Sequence, residues 1–494
     1  DRVGMTETNS MDAWDIASGK ALDLAGRRVH FVGIGGCGMS GLARIVRARG
    51  AVCTGSDQVA SPVTDALVAD GYDVALQQTA ATVPEPCDLV VASAAIKPNH
   101  PEMAEAARRG IAVMKYAQLL GRLMLGRTGV AIAGTHGKST TTAMLAHVLI
   151  QTGLDPTFII GATCEQIGGG SRTGRPDMLI AEACEYDRSF HNFHPTVSAV
   201  LNVEEDHLDI YGTLDHVVAA FNGFARLTHP DGLLLIGHDG AQRTAVTAGV
   251  DCRVQTIGYA PEADFTIDTR RDDAGCQQVT ITHDGAACTF ALRLPGEHMA
   301  YNASVAAALA HHLGADWDGI GAALSTFAGL DRRMQYLGEV DGVKVVDDYG
   351  HHPTEISTTL RALRQHYLRP PRPRGEGESK GGEESPGRLI CVFQPHQHSR
   401  TRFLLEQFAM SFTEADVVIV PHIYFVRDSE ADRRAVSAAD LVARLTERGV
   451  EAMHIDQFDD ITAHLRKHTH ADDLLVVMGA GPVWQIAHHF AGQA

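Results

Sequence analysis

The segment VAIAGTHGKST, residues 130–140, is the strongest local signal in this sequence. Its apolar first half predicts a buried strand, and the two glycines that follow permit a tight turn before a helix beginning at Ser139. Backbone N–H groups in such a turn, together with the helix N-terminus, form a cradle for phosphate. Lys138 is placed to reach the β- and γ-phosphates of a nucleotide, and the hydroxyl of Ser139 or Thr140 to ligate Mg²⁺. The first glycine of the usual phosphate-loop pattern falls on Ile132, and the alternative is a glycine turn with a surface lysine.

The same order of strand, turn and helix recurs on both sides of this segment, which is typical of α/β proteins with parallel sheets. Upstream, residues 29–32 predict a strand that leads into a glycine-rich turn and a helix. Downstream of Leu330, four apolar runs alternate with helical stretches and predict another α/β unit. Before that unit, residues 252–294 alternate in polarity, which predicts antiparallel strands.

We therefore predict an α/β fold of three domains. They are a Rossmann-like N-terminal domain at residues 27–125, a central P-loop-type ATPase domain at 126–330 and a Rossmann-like C-terminal domain at 331–494. Residues 1–26 are predicted to form a flexible leader. Residues 370–387 contain only Pro, Gly, Ser and charged side chains. Because such a segment has nothing apolar to bury, we expect a disordered surface loop there.

Composition argues against several classes of function. The 494 residues include 42 Lys and Arg against 60 Asp and Glu, a formal net charge of −18, whereas electrostatic binding of nucleic acid needs a basic surface. No apolar stretch reaches the roughly 18 residues that span a bilayer. The nine cysteines include no CxxC pair, which favours a reduced setting. We expect a cytoplasmic monomer or homodimer that binds small molecules, without nucleic acid or membrane insertion.

A second glycine-rich turn, GIGGCGMSG at residues 33–41, follows the first predicted strand. Gly33, Gly35 and Gly38 satisfy the GxGxxG pattern, and Asp57 follows about 20 positions further on, as in dinucleotide sites. Any diphosphate at a helix N-terminus needs the same glycines, so the pattern predicts a diphosphate site without identifying the ligand. Close packing of the helix on the strand, with no ligand, is the alternative.

Acidic residues and histidines follow three further predicted strands, in the segments AEACE at 181–185, NVEEDH at 202–207 and DDYGHHPTE at 347–355. Because the carboxyl ends of parallel strands meet at one edge of a sheet, we expect these side chains beside the phosphate cradle, where carboxylates suit Mg²⁺. Simple solvation is the alternative for the acids of 202–207, and helix capping for the end of 347–355. A zinc site there lacks an evident third ligand.

In this order, the motifs GIGGCGMSG, GTHGKST, AEACEYD, NVEEDH, PGEHMAYN, DRRMQ, DDYGHHPTE and FQPHQHSRTR resemble those of the Mur ligases of peptidoglycan synthesis. The resemblance covers residues 27–494 apart from 370–387. It implies domains that bind a UDP-sugar, bind ATP with Mg²⁺ and close over the nucleotide. The implied reaction joins L-alanine to UDP-N-acetylmuramate. ATP phosphorylates the muramoyl carboxylate, the amine of alanine attacks the acyl phosphate, and ADP, phosphate and the amide are released.

The resemblance also implies a role for each matching residue. His298 and Asn302 fall in the segment that contacts adenine, Asp347 would approach the ribose and Arg333 the γ-phosphate. The full implied sets are ATP binding by Gly134, Thr135, His136, Gly137, Lys138, Ser139, Thr140, His298, Asn302, Arg333 and Asp347, Mg²⁺ binding by Ser139, Thr140, Glu182 and His207, UDP-sugar binding by Gly36, Gly38, Met39, Ser40, Asp57 and Ser93, and chemistry by Lys138, Glu182, His207, Arg333, His351, His352 and Arg400.

Three alternatives to this function remain open at the level of sequence. A recycling ligase of the same family, which attaches a whole tripeptide, shares most of these motifs. A nicotinamide-dependent dehydrogenase would explain the GxGxxG turn with Asp57 but not residues 134–140. A non-enzymatic, ATP-gated binding protein is disfavoured by the intact Lys138 and Arg333. Between Lys138 and Lys344 the chain has no lysine, so the carbamylated lysine by which several Mur ligases hold a second Mg²⁺ is excluded from the central domain.

Overall fold

The computed structural model describes residues 21–271, 276–368, 387–426 and 428–493. They form three α/β units in chain order, which confirms the predicted fold class. Residues 1–20 of the predicted leader and 370–386 of the predicted loop lie outside the described residues. Leu24 is buried in the core of the first unit, so packing there begins upstream of residue 27. Across the described ranges, no helix combines the length and apolar character needed to cross a bilayer.

The first unit is a five-stranded parallel sheet whose first strand lies at the centre, between the second and the fourth. The glycine-rich turn therefore follows the strand at which the sheet order reverses, which is where open α/β sheets bind ligands. In chain order the elements are β1 (Arg28–Val32), α1 (Cys37–Ala48), β2 (Val52–Ser56), α2 (Pro62–Ala69), β3 (Asp73–Ala75), β4 (Leu89–Ala92), α3 (Pro101–Arg109), β5 (Ala112–Lys115) and α4 (Tyr116–Arg122), with the sheet order β3-β2-β1-β4-β5.

The central unit has a ten-stranded sheet that is parallel around the phosphate loop and antiparallel at both ends. The elements are β6 (Thr128–Ala133), α5 (Lys138–Gln151), β7 (Pro156–Ile159), β8 (Ser171–Arg172), β9 (Arg175–Glu182), β10 (Val197–Val200), α6 (Leu208–Tyr211), α7 (Leu214–Ala225), β11 (Leu233–Gly237), α8 (Arg243–Val246), β12 (Arg253–Gly258), β13 (Phe265–Arg271), β14 (Gln277–His283), β15 (Ala286–Leu292), α9 (Glu297–His312) and α10 (Trp317–Thr326), in the sheet order β15-β14-β13-β12-β11-β10-β6-β9-β7-β8.

Two sequence predictions for this unit need adjustment. The helix after the phosphate loop begins at Lys138, one residue earlier than predicted. The antiparallel prediction for residues 252–294 holds for β13, β14 and β15, but β12 is parallel to both of its neighbours. The crossover connection through α8 accounts for the parallel pairing of β12 with β11.

The third unit is a six-stranded sheet in which only the first strand is antiparallel to its neighbour. All four apolar runs predicted after Leu330 are strands of this sheet. The elements are β16 (Gln335–Val340), β17 (Val343–Asp348), α11 (Pro353–Tyr367), β18 (Leu389–Phe393), α12 (His398–Phe403), α13 (Leu405–Met410), β19 (Val417–Val420), α14 (Glu430–Ala435), α15 (Ala438–Glu447), β20 (Glu451–His454), α16 (Phe458–His468), β21 (Leu474–Met478) and α17 (Trp484–Phe490), in the sheet order β16-β17-β21-β18-β19-β20.

Candidate active site

The phosphate loop joins β6 to α5 and is held in shape by residues distant in sequence. Gly137 precedes α5 with a φ of 84°, a conformation that favours glycine. A Cβ at Gly137 would lie 2.5 Å from Oδ1 of Asn302 in α9. Asn202, which follows β10, accepts a hydrogen bond from the backbone N–H of His136 at 2.8 Å and donates one to its carbonyl at 3.2 Å. The first N–H groups of α5 therefore sit in a braced cradle suited to phosphate.

Lys138 is the cation of this cradle, and a carboxylate holds it there. Its Nζ lies 2.6 Å from the carbonyl oxygen of Gly134, 3.1 Å from that of Thr135 and 2.9 Å from Oε2 of Glu185. Burial alone would lower the pKa of Lys138. The charge of the Glu185 carboxylate outweighs burial and raises this pKa above its ordinary value. The ammonium group therefore keeps its charge at any physiological pH.

Two groups of potential metal ligands flank Lys138. Glu182, at the end of β9, accepts hydrogen bonds from the hydroxyl of Ser139 and the backbone N–H of Gly161, both at 2.9 Å. Glu185, Asp206 and His207 form the second group, whose ligand atoms all lie within 4.8 Å of one another. Burial lowers the pKa of His207, so its imidazole is neutral and free to act as a ligand. Carboxylates, a hydroxyl and a neutral imidazole beside a phosphate cradle fit Mg²⁺.

A cavity of ≈ 450 Å³ opens over these groups, and the C-terminal unit closes it. His351 and Arg400 line it from that unit. Nδ1 of His351 donates to the carbonyl of Tyr349 at 3.2 Å, because a carbonyl can only accept. Burial lowers the pKa of His351 to about 3, so its Nε2 is an unprotonated acceptor. Arg400 donates from Nε and Nη2 to Oδ1 of Asp206, at 3.1 and 3.0 Å.

A smaller cavity of ≈ 140 Å³ is lined by His298 and Asn302 of α9 and by residues of α11. The acid that reaches it from β17 is Asp348, because neighbouring residues on a strand point to opposite faces. Asp348 accepts from the backbone N–H groups of Met334 at 2.8 Å and Gly350 at 2.7 Å. Asp347 is fully buried on the other face. Asp348, and not the predicted Asp347, therefore lines this cavity.

An ion network crosses between the two cavities. Nδ1 of His136 lies 3.2 Å from Oε1 of Glu355, and Nε2 lies 3.6 Å from Oε2 of Glu204. Burial alone would lower the pKa of His136, but these two carboxylates raise it to about 9. Burial alone would raise the pKa of the Glu204 carboxyl, but His136 lowers it to about 2. The phosphate loop is thereby joined electrostatically to the start of α11.

The first unit has its own cavity, of ≈ 690 Å³, beside the glycine-rich turn. Gly36, Asp57 and Ser93 line it, as the sequence predicts. Asp57 braces the turn, because its Oδ2 accepts from the backbone N–H of Gly35 at 2.8 Å. Gln78 is a further lining residue on the opposite wall, with Lys97, Asn99 and His100.

Profiles of three consecutive protein domains match most of the chain. The profile described as Mur ligase family, catalytic domain, matches residues 28–128. The Mur ligase middle domain matches 132–310, and the Mur ligase, glutamate ligase domain, matches 332–374 and 379–481. The chain belongs to the Mur ligase family. Membership favours a ligase over the nicotinamide-dependent dehydrogenase that the GxGxxG turn left open.

Named relatives of this Mur ligase share its length. The UDP-N-acetylmuramate–L-alanine ligase of Lachnospira eligens is 38% identical over 462 residues, covering 93% of this chain and 96% of the relative. That of Desulfitobacterium hafniense is 38% identical over 460 residues, covering 93% and 98%. The crystal structure of UDP-N-acetylmuramate-alanine ligase MurC from Thermotoga maritima matches with a TM-score of 0.74 at 24% identity, covering 94% of this chain and 98% of that one. That structure shows a shared fold.

The structure of this Mur ligase brings most of the predicted site residues to the cavities. Six predicted residues line none of the three cavities among the described residues. His352 caps α11, and its Nε2 donates to the carbonyl of Glu205 at 2.9 Å. Met39 and Ser40 are buried in the first turns of α1, because that face of the helix packs on the sheet. The six are Gly38, Met39, Ser40, Gly134, Asp347 and His352.

Sequence reasoning assigned no role to several residues that this Mur ligase places in its site. Glu185 and Asn202 stand inside the segments AEACE and NVEEDH, so a partial signal for them was present. Asp348 is the other acid of the DD pair. Gln78 and Tyr116 lie in segments with no motif, and only the fold brings them to a cavity.

Proposed function

We propose that this Mur ligase joins L-alanine to the carboxylate of UDP-N-acetylmuramate, with ATP converted to ADP and phosphate. The observation that carries the proposal is the ≈ 450 Å³ cavity, where a phosphate loop, a carboxylate group and residues of the C-terminal unit meet. The activity named for relatives that are 38% identical across 93% of the chain supports the same substrates.

Phosphoryl transfer needs positive charge around the transferred group and little else from the protein. Lys138 supplies it at the cradle, where it stays protonated. Arg333 supplies a second cation, since it lines both cavities and its guanidinium lies 4.8 Å from the ring centre of Tyr349. These two residues would orient the γ-phosphate towards the muramoyl carboxylate.

We infer that Mg²⁺ accompanies the nucleotide. Ser139 and Glu182, together with the group Glu185, Asp206 and His207, would hold it. When bound, the ion neutralises charge on phosphate oxygens. Asp206 is ready for this role, because Arg400 offsets the effect of burial and keeps the pKa of its carboxyl below the ordinary value.

The amino acid would enter between His351 and Arg400. The free Nε2 of His351 is an acceptor for an amine hydrogen, and Nη1 of Arg400 points towards Nδ1 of His396 at 3.4 Å rather than to a carboxylate. The second N–H of this guanidinium nitrogen would donate to an incoming carboxylate. Both residues come from the unit that closes the cavity, so binding of alanine and exclusion of water from the acyl phosphate would occur together.

The proposed substrates, ATP and a UDP-sugar, place the reaction in the cytoplasm. A monomer or homodimer remains the prediction for the assembly. The recycling ligase of the same family is the second candidate, because it would use the same phosphate loop with a larger amine substrate.

The deciding experiment is release of phosphate from ATP in the presence of UDP-N-acetylmuramate and single amines. We expect turnover with L-alanine and none when either substrate is omitted. A tripeptide that supports turnover while L-alanine does not would replace the proposal by the recycling activity.

A first variant tests the role of the cradle cation. We expect Lys138→Ala to lower kcat by about 10²–10³-fold, since one preorganised charge at a transition state contributes that much. Lys467→Ala, on the exposed side of α16, is the matched control and should leave kcat unchanged. Full activity of Lys138→Ala would remove the phosphate role from this residue.

A further inference from the structure

Tyr116, the first residue of α4, lies between the glycine-rich turn of the first unit and the phosphate loop of the central unit. It lines the ≈ 450 Å³ cavity together with Lys138 and Glu182. Its ring also faces Gly38, where a Cβ would lie 3.1 Å from the ring atoms Cε2 and Cζ. Glycine at position 38 therefore leaves room for the phenol.

The hydroxyl of Tyr116 is an uncommitted donor. Within the part of the chain that the structure describes, no side chain or backbone group forms a hydrogen bond with it. Burial, together with the charge of Glu182, raises its pKa above the ordinary value. The hydroxyl thus stays protonated and can donate at any physiological pH.

The position of Tyr116 decides which part of a substrate it can meet. It is absent from the walls of the ≈ 690 Å³ cavity, where Gly36, Asp57 and Ser93 would bind the uridine diphosphate. It lines instead the cavity in which phosphoryl transfer would occur. A UDP-sugar anchored in the first unit would bring its acid to Lys138 within the cavity that Tyr116 also lines.

Carboxylates line the central wall beside Tyr116, so an acidic substrate group there needs a hydrogen-bond donor. Lys138 is already bound to Glu185 at 2.9 Å, and Glu182 adds another carboxylate to this wall. A substrate carboxylate therefore meets negative charge on the central side and needs a donor on the other side. We propose that the Tyr116 hydroxyl donates a hydrogen bond to the lactyl acid of the UDP-sugar and positions that acid against the phosphate loop. This inference rests on the proposed function.

Tyr116→Phe tests the contact, because it keeps the ring against Gly38 and removes only the hydroxyl. The readout is binding by calorimetry without ATP, using UDP-N-acetylmuramate and UDP-N-acetylglucosamine, which lacks the lactyl acid. A hydrogen bond to a charged group predicts about tenfold weaker binding of UDP-N-acetylmuramate, with binding of UDP-N-acetylglucosamine changed less than about twofold.

Tyr72→Phe is the matched control, since this tyrosine lies in the same unit under the guanidinium of Arg47, 4.4 Å from the ring centre. Tyr72→Phe should bind UDP-N-acetylmuramate and UDP-N-acetylglucosamine with the same affinities as the wild type. In the full reaction, Tyr116→Phe should raise KM for UDP-N-acetylmuramate about tenfold and leave KM for ATP and the melting temperature unchanged.

Equal weakening of both nucleotides, or of neither, would overturn the inference, because the lactyl acid would then not be the partner. The same holds if the wild type binds the two nucleotides equally well. Failure of the proposed function is a separate outcome. If the wild type forms no amide with alanine, yet Tyr116→Phe selectively weakens UDP-N-acetylmuramate, the positioning role stands and the ligation does not.

Discussion

Glu102, in the first turn of α3, is a carboxylate with no exposed surface. It accepts hydrogen bonds from Ser56 at 2.8 Å, from Nε2 of His30 at 3.1 Å and from Thr82 at 2.5 Å. Burial alone would raise the pKa of Glu102, but these hydrogen bonds keep it below its ordinary value. Ser56 in turn accepts from Nε2 of Gln78 at 3.3 Å. One buried acid thereby braces Gln78, a residue of the wall of the ≈ 690 Å³ cavity, from behind.

Loss of this acid should be costly for the first unit. We expect Glu102→Ala to lower the free energy of unfolding by about 3–5 kcal/mol, because the buried donors His30 and Ser56 and the half-buried Thr82 lose their acceptor at once. Glu105→Ala, on the same helix and paired with Arg108 at the surface, should change it little. Urea denaturation of both variants measures the difference, and equal losses would contradict the role of Glu102.

Two elements, α1 and α4, pack the first unit closely on the central unit at glycines. A Cβ at Gly41 of α1 would lie 2.7 Å from Cβ of Ser171, in β8. A Cβ at Gly121 of α4 would lie only 1.8 Å from the carbonyl oxygen of Asn192. Tyr116 begins the same helix, so this contact helps to position the backbone that carries it.

A methyl group at Gly121 should therefore displace a whole helix. We expect Gly121→Ala to lower the free energy of unfolding by about 1–3 kcal/mol and to raise KM for UDP-N-acetylmuramate, because backbone cannot yield as a side chain can. Gly240→Ala is the control, since the nearest atom to its Cβ would be 3.7 Å away. The test compares melting temperatures and KM values of the two variants. A melting temperature and a KM of Gly121→Ala equal to those of the wild type would disprove the close packing of α4.

The whole molecule is closed by polar contacts between the central and C-terminal units. Thr354 donates to Oε2 of Glu204 at 2.6 Å, and Arg400 donates to Asp206 at 3.0 Å. The pair His136–Glu355 joins the phosphate loop to α11. These contacts lie around the ≈ 450 Å³ and ≈ 140 Å³ cavities, so closure of the two units also arranges the groups that line them.

Closure should depend on pH through His136. Its pKa is raised to about 9 in the folded chain against about 6.5 when unfolded. The stabilisation is therefore complete below pH 6.5 and is lost as the pH rises to 9. The other groups facing this ring are Glu204, Glu355, His298 and His352.

The stability difference between wild type and His136→Gln, from urea denaturation, should shrink between pH 6.5 and 9. The control His464→Gln, on α16, should show a constant difference over that range. If the stability difference between wild type and His136→Gln does not vary with pH, the charge of His136 does not stabilise the closed arrangement.

The sequence by itself determined the α/β class, the three units and the phosphate loop. Strand periodicity, glycine turns and the lysine at the helix start act within a few residues, so they can be predicted without tertiary contacts. The same locality explains why the apolar runs after Leu330 were correctly predicted as strands.

Only the tertiary structure decided which member of each adjacent pair lines a cavity. Asp348 rather than Asp347 and His351 rather than His352 face a cavity, because neighbouring side chains point in opposite directions and motif spacing does not fix that direction. It also placed Tyr116 beside Lys138, since α4 is brought there by packing at Gly121, a contact between backbones that leaves no trace in local sequence.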